Sequence, residues 1–202
     1  MKENARPIVF TIGHSTRALP EFIELLEGHG VTSLIDVRTV PRSRSNPQFN
    51  RETLPGTLEA AEIGYAHVAG LGGFRRSSAE SPNRGWRNAS FRGYADYMQT
   101  NAFSESLAGL IERLASQRVA LMCAEAVPWR CHRSLIADAL VVRGIHVEEI
   151  VNAVRTRAHP LTSFARVDDK TITYPLPESR PACRESPRSQ PACVSALRKL
   201  GH

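Results

Sequence analysis

One short segment, Cys131-His132-Arg133, places a thiol, an imidazole and a guanidinium on consecutive residues. The apolar pattern that begins there predicts a helix over 131–142, so the three residues stand at its start. Unpaired N–H groups and the helix dipole stabilise a thiolate or a bound anion at such a position. We therefore predict that Cys131 is a nucleophile or redox centre with His132 beside it, and that Arg133 binds substrate.

A second thiol, Cys123, ends a predicted strand and could form a reversible disulfide with Cys131. The order of strand, cysteine, loop, arginine and helix is similar to that of rhodanese-like and cysteine-phosphatase sites. Those loops have the spacing Cys-x5-Arg, whereas six residues separate Cys123 from Arg130. The six residues between Cys123 and Arg130 include Pro128 and Trp129 and no glycine. A phosphatase or sulfurtransferase of that type is therefore not expected.

These reactive residues are set among alternating strand and helix patterns. Apolar, β-branched runs predict five strands, over 8–13, 32–38, 65–68, 118–123 and 146–151. Helical patterns predict helices over 19–26, 52–62, 94–100, 103–116 and 131–142. The alternation predicts an α/β fold: a single domain over 1–177 with a mainly parallel sheet of about five strands flanked by helices.

Polar residues collect where the predicted strands end. His14 follows the first strand, Asp36 and Arg38 end the second, and Glu125 comes just after Cys123. Ligands of open parallel sheets bind beyond the carboxyl ends of the strands, so we predict one pocket there. The catalytic candidates are Cys131, His132, Cys123, His14, Asp36 and Glu125. The substrate-binding candidates are Ser15, Arg38, Arg42, Gly72, Gly73, Arg133 and Tyr94.

Several of these residues also have a purely structural interpretation. His14 could be a satisfied, half-buried histidine, and Asp36 could pair with Arg38 or cap a loop. Cys123 could belong to the core, because free cysteine is often buried as a small apolar side chain. Gly72-Gly73 could serve a turn alone.

The same residues could instead hold a transition metal. Thiolate and imidazole ligands together suit zinc or iron. The expected ligands are Cys123, Cys131 and His14, with His132 and the nearby carboxylates as further candidates. These residues come from different strand ends, so their spacing in the sequence cannot confirm such a site.

A binding module for nucleotides or nucleic acid is the alternative function. Nine arginines stand between residues 38 and 92 and could contact phosphates. Phe49 and Trp86 could stack on bases. The loops 41–50 and 74–90, which carry several of these arginines, could close over a bound anion.

Composition limits the class of protein. The 202 residues are 42% hydrophobic and 23% charged, as in soluble globular proteins, and no apolar run is long enough to span a membrane. The first residues lack the apolar core of a signal peptide, so we expect a cytoplasmic protein with reduced cysteines. Most of the net charge of +6 arises after residue 154. The Pro/Ser/Arg-rich segment 178–202, with Cys183 and Cys193, is expected to be disordered.

A series of short motifs runs through residues 8–175. In order, they are Thr11-Ile12-Gly13-His14-Ser15, Leu34-Ile35-Asp36-Val37-Arg38 with Pro41, Tyr65-x-His67, Leu71-Gly72-Gly73, Phe91-x-x-Tyr94-Ala95-x-Tyr97-Met98, Leu121-Met122-Cys123-Ala124-Glu125, Cys131-His132-Arg133, His159-Pro160-Leu161-Thr162 and Tyr174-Pro175. Together they resemble the DUF488 family, whose function is not established. The residues that this resemblance implies as a site are His14, Ser15, Asp36, Arg38, Cys123, Glu125, Cys131, His132 and Arg133.

These observations favour an enzyme with a pocket that contains cysteine and histidine. We expect it to act on a small anionic molecule by thiol or metal-assisted chemistry. A purely structural role would leave the convergence of polar residues at the strand ends unexplained. The sequence indicates neither the substrate nor the oligomeric state.

Overall fold

A six-stranded sheet forms the centre of the protein, whose computed structural model describes residues 7–176. Its strands are β1 (Ile8–Gly13), β2 (Ser33–Asp36), β3 (Gly64–His67), β4 (Val119–Cys123), β5 (His146–Ile150) and β6 (Thr156–Ala158). Their order across the sheet is β3-β2-β4-β1-β5-β6. The first five are parallel, and β6 pairs antiparallel with β5 at one edge. A separate hairpin contains β7 (Arg166–Asp168) and β8 (Thr171–Thr173).

Five helices cover the two faces of this sheet. They are α1 (Leu19–Gly28), α2 (Leu54–Glu59), α3 (Ala89–Tyr97), α4 (Asn101–Arg113) and α5 (Arg133–Val141). On one face, Phe22 of α1 and Leu58 of α2 share a core cluster with Phe10 of β1. On the other, α3, α4 and α5 share a cluster with Val9 of the same strand. Successive strand residues point to opposite faces, so β1 contributes to both cores.

Local sequence explains where several elements begin. Pro20 lies in the first turn of α1, where its missing N–H costs no hydrogen bond. Asn88 accepts a hydrogen bond from Ser90 N at 2.8 Å at the start of α3. At the start of α4, Oγ1 of Thr100 accepts a hydrogen bond from Phe103 N at 3.3 Å. The central strand β4 is buried along its whole length, which accounts for its continuous apolar sequence.

The connections leave a crevice at the carboxyl ends of β1 and β4. The chain leaves β1 across the face covered by α1, and it leaves β4 across the face covered by α5. Because β1 and β4 are neighbours, these diverging exits open a space between them. The pocket predicted from the strand ends lies here, beside the end of β2.

The predicted α/β fold is confirmed, with five parallel strands flanked by helices. The prediction missed β6, β7 and β8, because strands of three residues are too short to show an alternation of polar and apolar side chains. Four of the five helix starts also differ from the prediction, by two residues in α2, α4 and α5 and by five in α3. α3 begins at Ala89, inside the predicted loop, and α5 begins at Arg133, so Cys131 precedes the helix.

Some predictions fall outside the described part of the chain. The expected disordered segment 178–202, with Cys183 and Cys193, and the domain boundary at Pro177 both lie beyond residue 176. Within residues 7–176, no helix has the length and apolar character needed to cross a membrane.

We expect Gly13→Ala to destabilise the protein. A Cβ at this last residue of β1 would lie 2.1 Å from the carbonyl oxygen of Glu125 and 2.8 Å from Cα of Ala126. Both contacts are with backbone, so the ends of β1 and β4 would have to separate, at a cost of about 2–3 kcal/mol. Urea denaturation measures this change.

Gly109 provides the matched control for this substitution. It is exposed on α4, and a Cβ there would meet nothing within 4 Å. Gly109→Ala should therefore raise the free energy of unfolding by about 0.5–1 kcal/mol. An unchanged stability of Gly13→Ala would show that the loop after β4 gives way at no cost.

Candidate active site

A cavity of about 760 Å³ opens at the carboxyl ends of β1, β2 and β4. The predicted residues that line it are His14, Ser15, Arg38, Arg42, Gly73, Tyr94, Cys123, Glu125, Cys131 and His132. Three other candidates lie near the cavity without lining it, namely Asp36, Gly72 and Arg133. The strand ends thus bring most of the predicted site together around one space.

Cys131 lies in the floor of this cavity, with other reactive groups close to its sulfur. Its side chain is buried, and its Sγ lies 3.8 Å from Nδ1 of His132. Nε of Arg133 donates to the same sulfur at 3.4 Å. The sulfurs of Cys123 and Cys131 and a ring nitrogen of His132 all lie within 4.8 Å of one another. Both cysteines are free thiols.

The contacts of His132 determine which of its nitrogens carries the proton. Nε2 lies 2.9 Å from the carbonyl oxygen of Val37, which can only accept, so Nε2–H is the donor. Nδ1 therefore presents a lone pair to Cys131. The ring packs 5.1 Å from the ring of Tyr94, and a Cβ at Gly73 would come 3.1 Å from Nδ1. Because Gly73 has no side chain, it provides the space that the imidazole of His132 occupies.

Cys131 ionises before Cys123. A hydrogen bond from the Cys123 thiol is the largest cause that lowers the pKa of Cys131. Contacts with His132 and Arg133 lower this pKa further, against the opposing effect of burial. The same hydrogen bond and burial raise the pKa of Cys123. Of the two thiols, Cys131 is therefore the one that favours the thiolate, with Cys123 as its hydrogen-bond donor.

Arg133 lies behind the cysteine, where it does not reach the cavity that Cys131 lines. Its side chain is only 1% exposed. Nη2 donates to the carbonyl oxygen of Glu125 at 2.6 Å, and Nε donates to Cys131. Sequence analysis assigned Arg133 to substrate binding, whereas these contacts orient the loop after β4 and the sulfur of Cys131.

Asp36 and Arg38 form a buried ion pair at the end of β2. Oδ2 of Asp36 accepts from Nη2 of Arg38 at 2.6 Å, and Oδ1 accepts from Nε at 2.9 Å. Oδ2 also accepts from the hydroxyl of Tyr65 at 2.8 Å. Arg38 extends from this pair to the carbonyl oxygen of Phe49 at 2.6 Å. Asp36 is therefore occupied in holding Arg38, as its structural interpretation proposed.

His14 is enclosed beside this pair as a neutral imidazole. Nδ1–H donates to the carbonyl oxygen of Ser15 at 2.9 Å, and Nε2 accepts from Nη1 of Arg38 at 3.2 Å. Its ring stacks on Phe49 with centroids 4.3 Å apart. Burial is the largest cause that lowers the pKa of His14 to about 4, and the charge of Arg38 adds to it. With both nitrogens occupied, His14 lies outside the cluster of Cys123, Cys131 and His132.

The remaining candidates divide between the wall of the cavity and its support. Oε1 of Glu125 accepts from Val127 N at 3.1 Å and caps the loop. The hydroxyl of Tyr94 donates to the carbonyl oxygen of Leu71 at 2.8 Å, so Tyr94 contributes its ring to the wall. A Cβ at Gly72 would lie 2.7 Å from Oγ1 of Thr39, which shows a packing role.

Two features of the cavity rim were not found from the sequence. Arg130 is exposed beside Arg42 at the rim. Phe74 is 86% exposed at the same rim, with a positive φ of 38° that is strained for a bulky residue. The sequence offered a signal for Arg130 alone, as the arginine of the Cys-x6-Arg loop.

Phe49, one of the two aromatic residues assigned to base stacking, is not free for that role. Phe49 is fully buried against His14 and Phe22. Trp86 packs against Phe91 at 4.8 Å and against other aromatic rings of the core. That part of the nucleic-acid interpretation is corrected for Phe49, because a base cannot reach its ring without displacing His14 and Phe22.

We expect Asp36→Asn to lower the free energy of unfolding by about 3–5 kcal/mol, because it leaves Arg38 as a buried charge without its counterion. Urea denaturation measures the loss. The exposed pair of Arg17 and Glu21 provides the control, and Glu21→Gln should cost less than about 1 kcal/mol. Equal losses for the two variants would contradict the structural importance of the Asp36–Arg38 pair.

His14 should make stability depend on pH. Its pKa is about 4 in the folded protein and 6.5 in an unfolded chain, so the unfolded state binds more protons between these values. Stability should therefore fall as the pH drops through this window, by up to roughly 3 kcal/mol from this residue. His14→Asn should reduce that slope in a series of urea titrations. A slope that persists in His14→Asn would contradict this assignment.

Residues 18–140 match the family model described as Domain of unknown function DUF488. A search of the curated proteins and a search of the solved structures each gave no match. The matched span contains Asp36, Arg38, Cys123 and Cys131, and it leaves out His14 and the motifs after residue 140. This match covers more than half of the chain, and the chain therefore belongs to the DUF488 family, a domain of unknown function.

Proposed function

We propose that the protein is a thiol-dependent enzyme that acts on a small anionic substrate, with Cys131 as its nucleophile. The cavity at the strand ends is of a size typical for small-molecule sites, at about 760 Å³. Cys131 lies in its floor between an imidazole lone pair and a guanidinium. This is the environment that activates a cysteine for nucleophilic catalysis.

The observation that carries the proposal is the burial of Arg133. A guanidinium stays charged under all conditions in which proteins fold, and a buried charge requires a counter-charge. No carboxylate within residues 7–176 forms an ion pair with Arg133. The acidic group in contact with it is the thiol of Cys131, at 3.4 Å from Nε. A thiolate at Cys131 supplies the missing charge.

In the proposed reaction, Cys131 starts as the thiolate, and the proton that it has given up is held on Nδ1 of His132. The thiolate then forms a bond to the electrophilic atom of the substrate. The bond from that atom to the leaving group breaks, and the leaving group takes the electron pair and the proton held by His132. Water next displaces the sulfur: its oxygen bonds to the substrate atom, and its proton passes to Nδ1. The net reaction is hydrolysis.

The charges around the cavity support an anionic substrate. Arg42 and Arg130 are exposed at its rim. Ser15 stands at the same wall with a positive φ of 47°, and non-glycine residues held in this conformation cluster at functional sites. The side chain of Glu125 is turned to its own loop. An anionic group would thus meet cations before it reaches the sulfur.

Metal-assisted chemistry is a second candidate, because the donor atoms of Cys123, Cys131 and His132 lie within 4.8 Å of one another. Three protein ligands and an open position facing a cavity are typical of catalytic zinc, and the same donors suit iron. The hydrogen bond from Arg133 to Cys131 favours the metal-free thiolate, because a guanidinium and a metal cation compete for the sulfur lone pairs.

Alkylation rates test the proposal. In a Cys183→Ser, Cys193→Ser background, we expect Cys131 to react faster than Cys123 near neutral pH, measured by peptide mass spectrometry. We also expect iodoacetate, an anion, to react at least about threefold faster relative to iodoacetamide than it does with a free thiol, because cations at the rim attract it. Arg42→Gln with Arg130→Gln should remove this preference, and Arg113→Gln, on exposed α4, should keep it.

Metal analysis of the same preparations separates the two candidates. Near-stoichiometric zinc or iron that disappears in Cys131→Ser would favour the metal site over the free thiolate. A metal-free protein with the expected alkylation pattern would support the thiol enzyme. A metal-free protein whose Cys131 is no more reactive than Cys123 would contradict both.

A further inference from the structure

A second cavity, of about 530 Å³, lies on the side of α5 where the chain returns after β6. Thr11 of β1, Arg133 and Ala137 of α5, Trp86 and Trp129 contribute to its wall. It shares none of its lining residues with the cavity over Cys131. Nothing in the proposed reaction requires it.

Two residues that line this cavity each carry a buried hydrogen-bond donor without a partner. Nη1 of Arg133 and Nε1 of Trp86 are both buried, and within residues 7–176 neither donates to any acceptor. Leaving a buried donor unsatisfied is unfavourable, and native structures contain few such groups. Both of them belong to residues that line the same cavity, which points to an acceptor that occupies it.

The rest of the wall is mainly apolar and aromatic. Trp86 and Trp129 provide indole rings, and Pro128, Ala137 and Leu161 provide aliphatic surface. Trp129 is 64% exposed, with the guanidinium of Arg157 5.5 Å from its ring centroid. Arg157 is in turn paired with Glu149, so the charges at this end balance. The cavity therefore suits a planar apolar body.

We propose that this cavity binds a small planar, mainly apolar molecule through a carbonyl oxygen, which accepts from Trp86 and Arg133. Amides and carboxylates share this acceptor. A net negative charge on the ligand is not required, because Cys131 already provides the counter-charge of Arg133 in the proposed function. The site itself rests on the unpaired donors and the shape of the cavity, and it stands whether or not Cys131 is a nucleophile.

The two tryptophans make the site directly observable. The chain contains only Trp86 and Trp129, so a ¹H–¹⁵N correlation spectrum of the full chain has two indole N–H signals, both from this cavity. Trp129→Phe assigns them. The probes are benzamide and benzoate, which carry the acceptor, and toluene, which fills the same space without one.

We expect benzamide or benzoate to shift the Trp86 indole signal in a saturable way and to bind at least about tenfold more tightly than toluene. A preference for benzamide would identify a neutral amide class, and a preference for benzoate a carboxylate class. Trp86→Phe, which keeps an aromatic ring and removes the donor, should weaken binding by about tenfold, followed through the Trp129 signal.

Three results would overturn the proposal. They are a Trp86 signal that does not move in a saturable way, toluene binding as tight as that of the carbonyl probes, and unchanged affinity in Trp86→Phe. The first would mean that the donors hold water only. If Trp86→Phe fails to fold, as its packing against Phe91 and Phe164 makes conceivable, the comparison of the three probes with the unsubstituted protein decides the question.

Discussion

A guanidinium buried behind a cysteine is the constraint around which this site is arranged. Arg133 is enclosed by the sheet and α5, so each of its nitrogens must meet an acceptor without help from bulk water. The carbonyl oxygen of Glu125 accepts from Nη2, and the sulfur of Cys131 accepts from Nε. These contacts determine the path of the loop that leaves β4 and hold the sulfur in the cavity floor. His132, which follows Cys131, is anchored to the carbonyl of Val37 beyond β2.

The two buried arginines of the site differ in the partner that neutralises them. Arg38 pairs with the carboxylate of Asp36, whose two oxygens accept hydrogen bonds from its guanidinium. The pair is therefore unreactive, and its Arg38, together with the neutral ring of His14, forms one wall of the cavity. Arg133 meets a thiol, which ionises only when a neighbouring charge favours the thiolate. The same need for neutralisation is thus met by a carboxylate at one position and involves a thiol at the other.

The sequence predicted the location of the site well, because parallel strands in an alternating α/β chain bring their carboxyl ends to one edge. That rule was sufficient to assemble Cys123, Cys131 and His132. It could not predict that His14 and Asp36 would form hydrogen bonds with Arg38. That arrangement depends on Phe49, whose loop comes back to the site and whose ring and carbonyl oxygen contact His14 and Arg38. Neither could it predict that Arg133 faces away from the cavity, because the irregular loop after β4 sets the orientation of the first turn of α5.

The contact between Gly13 and the loop after β4 has a consequence for engineering this scaffold. The backbone of Glu125 and Ala126 passes so close to β1 that only a hydrogen atom fits between them. A library that alters the length of the loop at this point would have to rebuild the end of β1 as well. Residues 129 and 130 face solvent on the far side of the same loop. Substitutions intended to change the substrate are therefore better introduced at residues 129 and 130 than at Glu125 and Ala126.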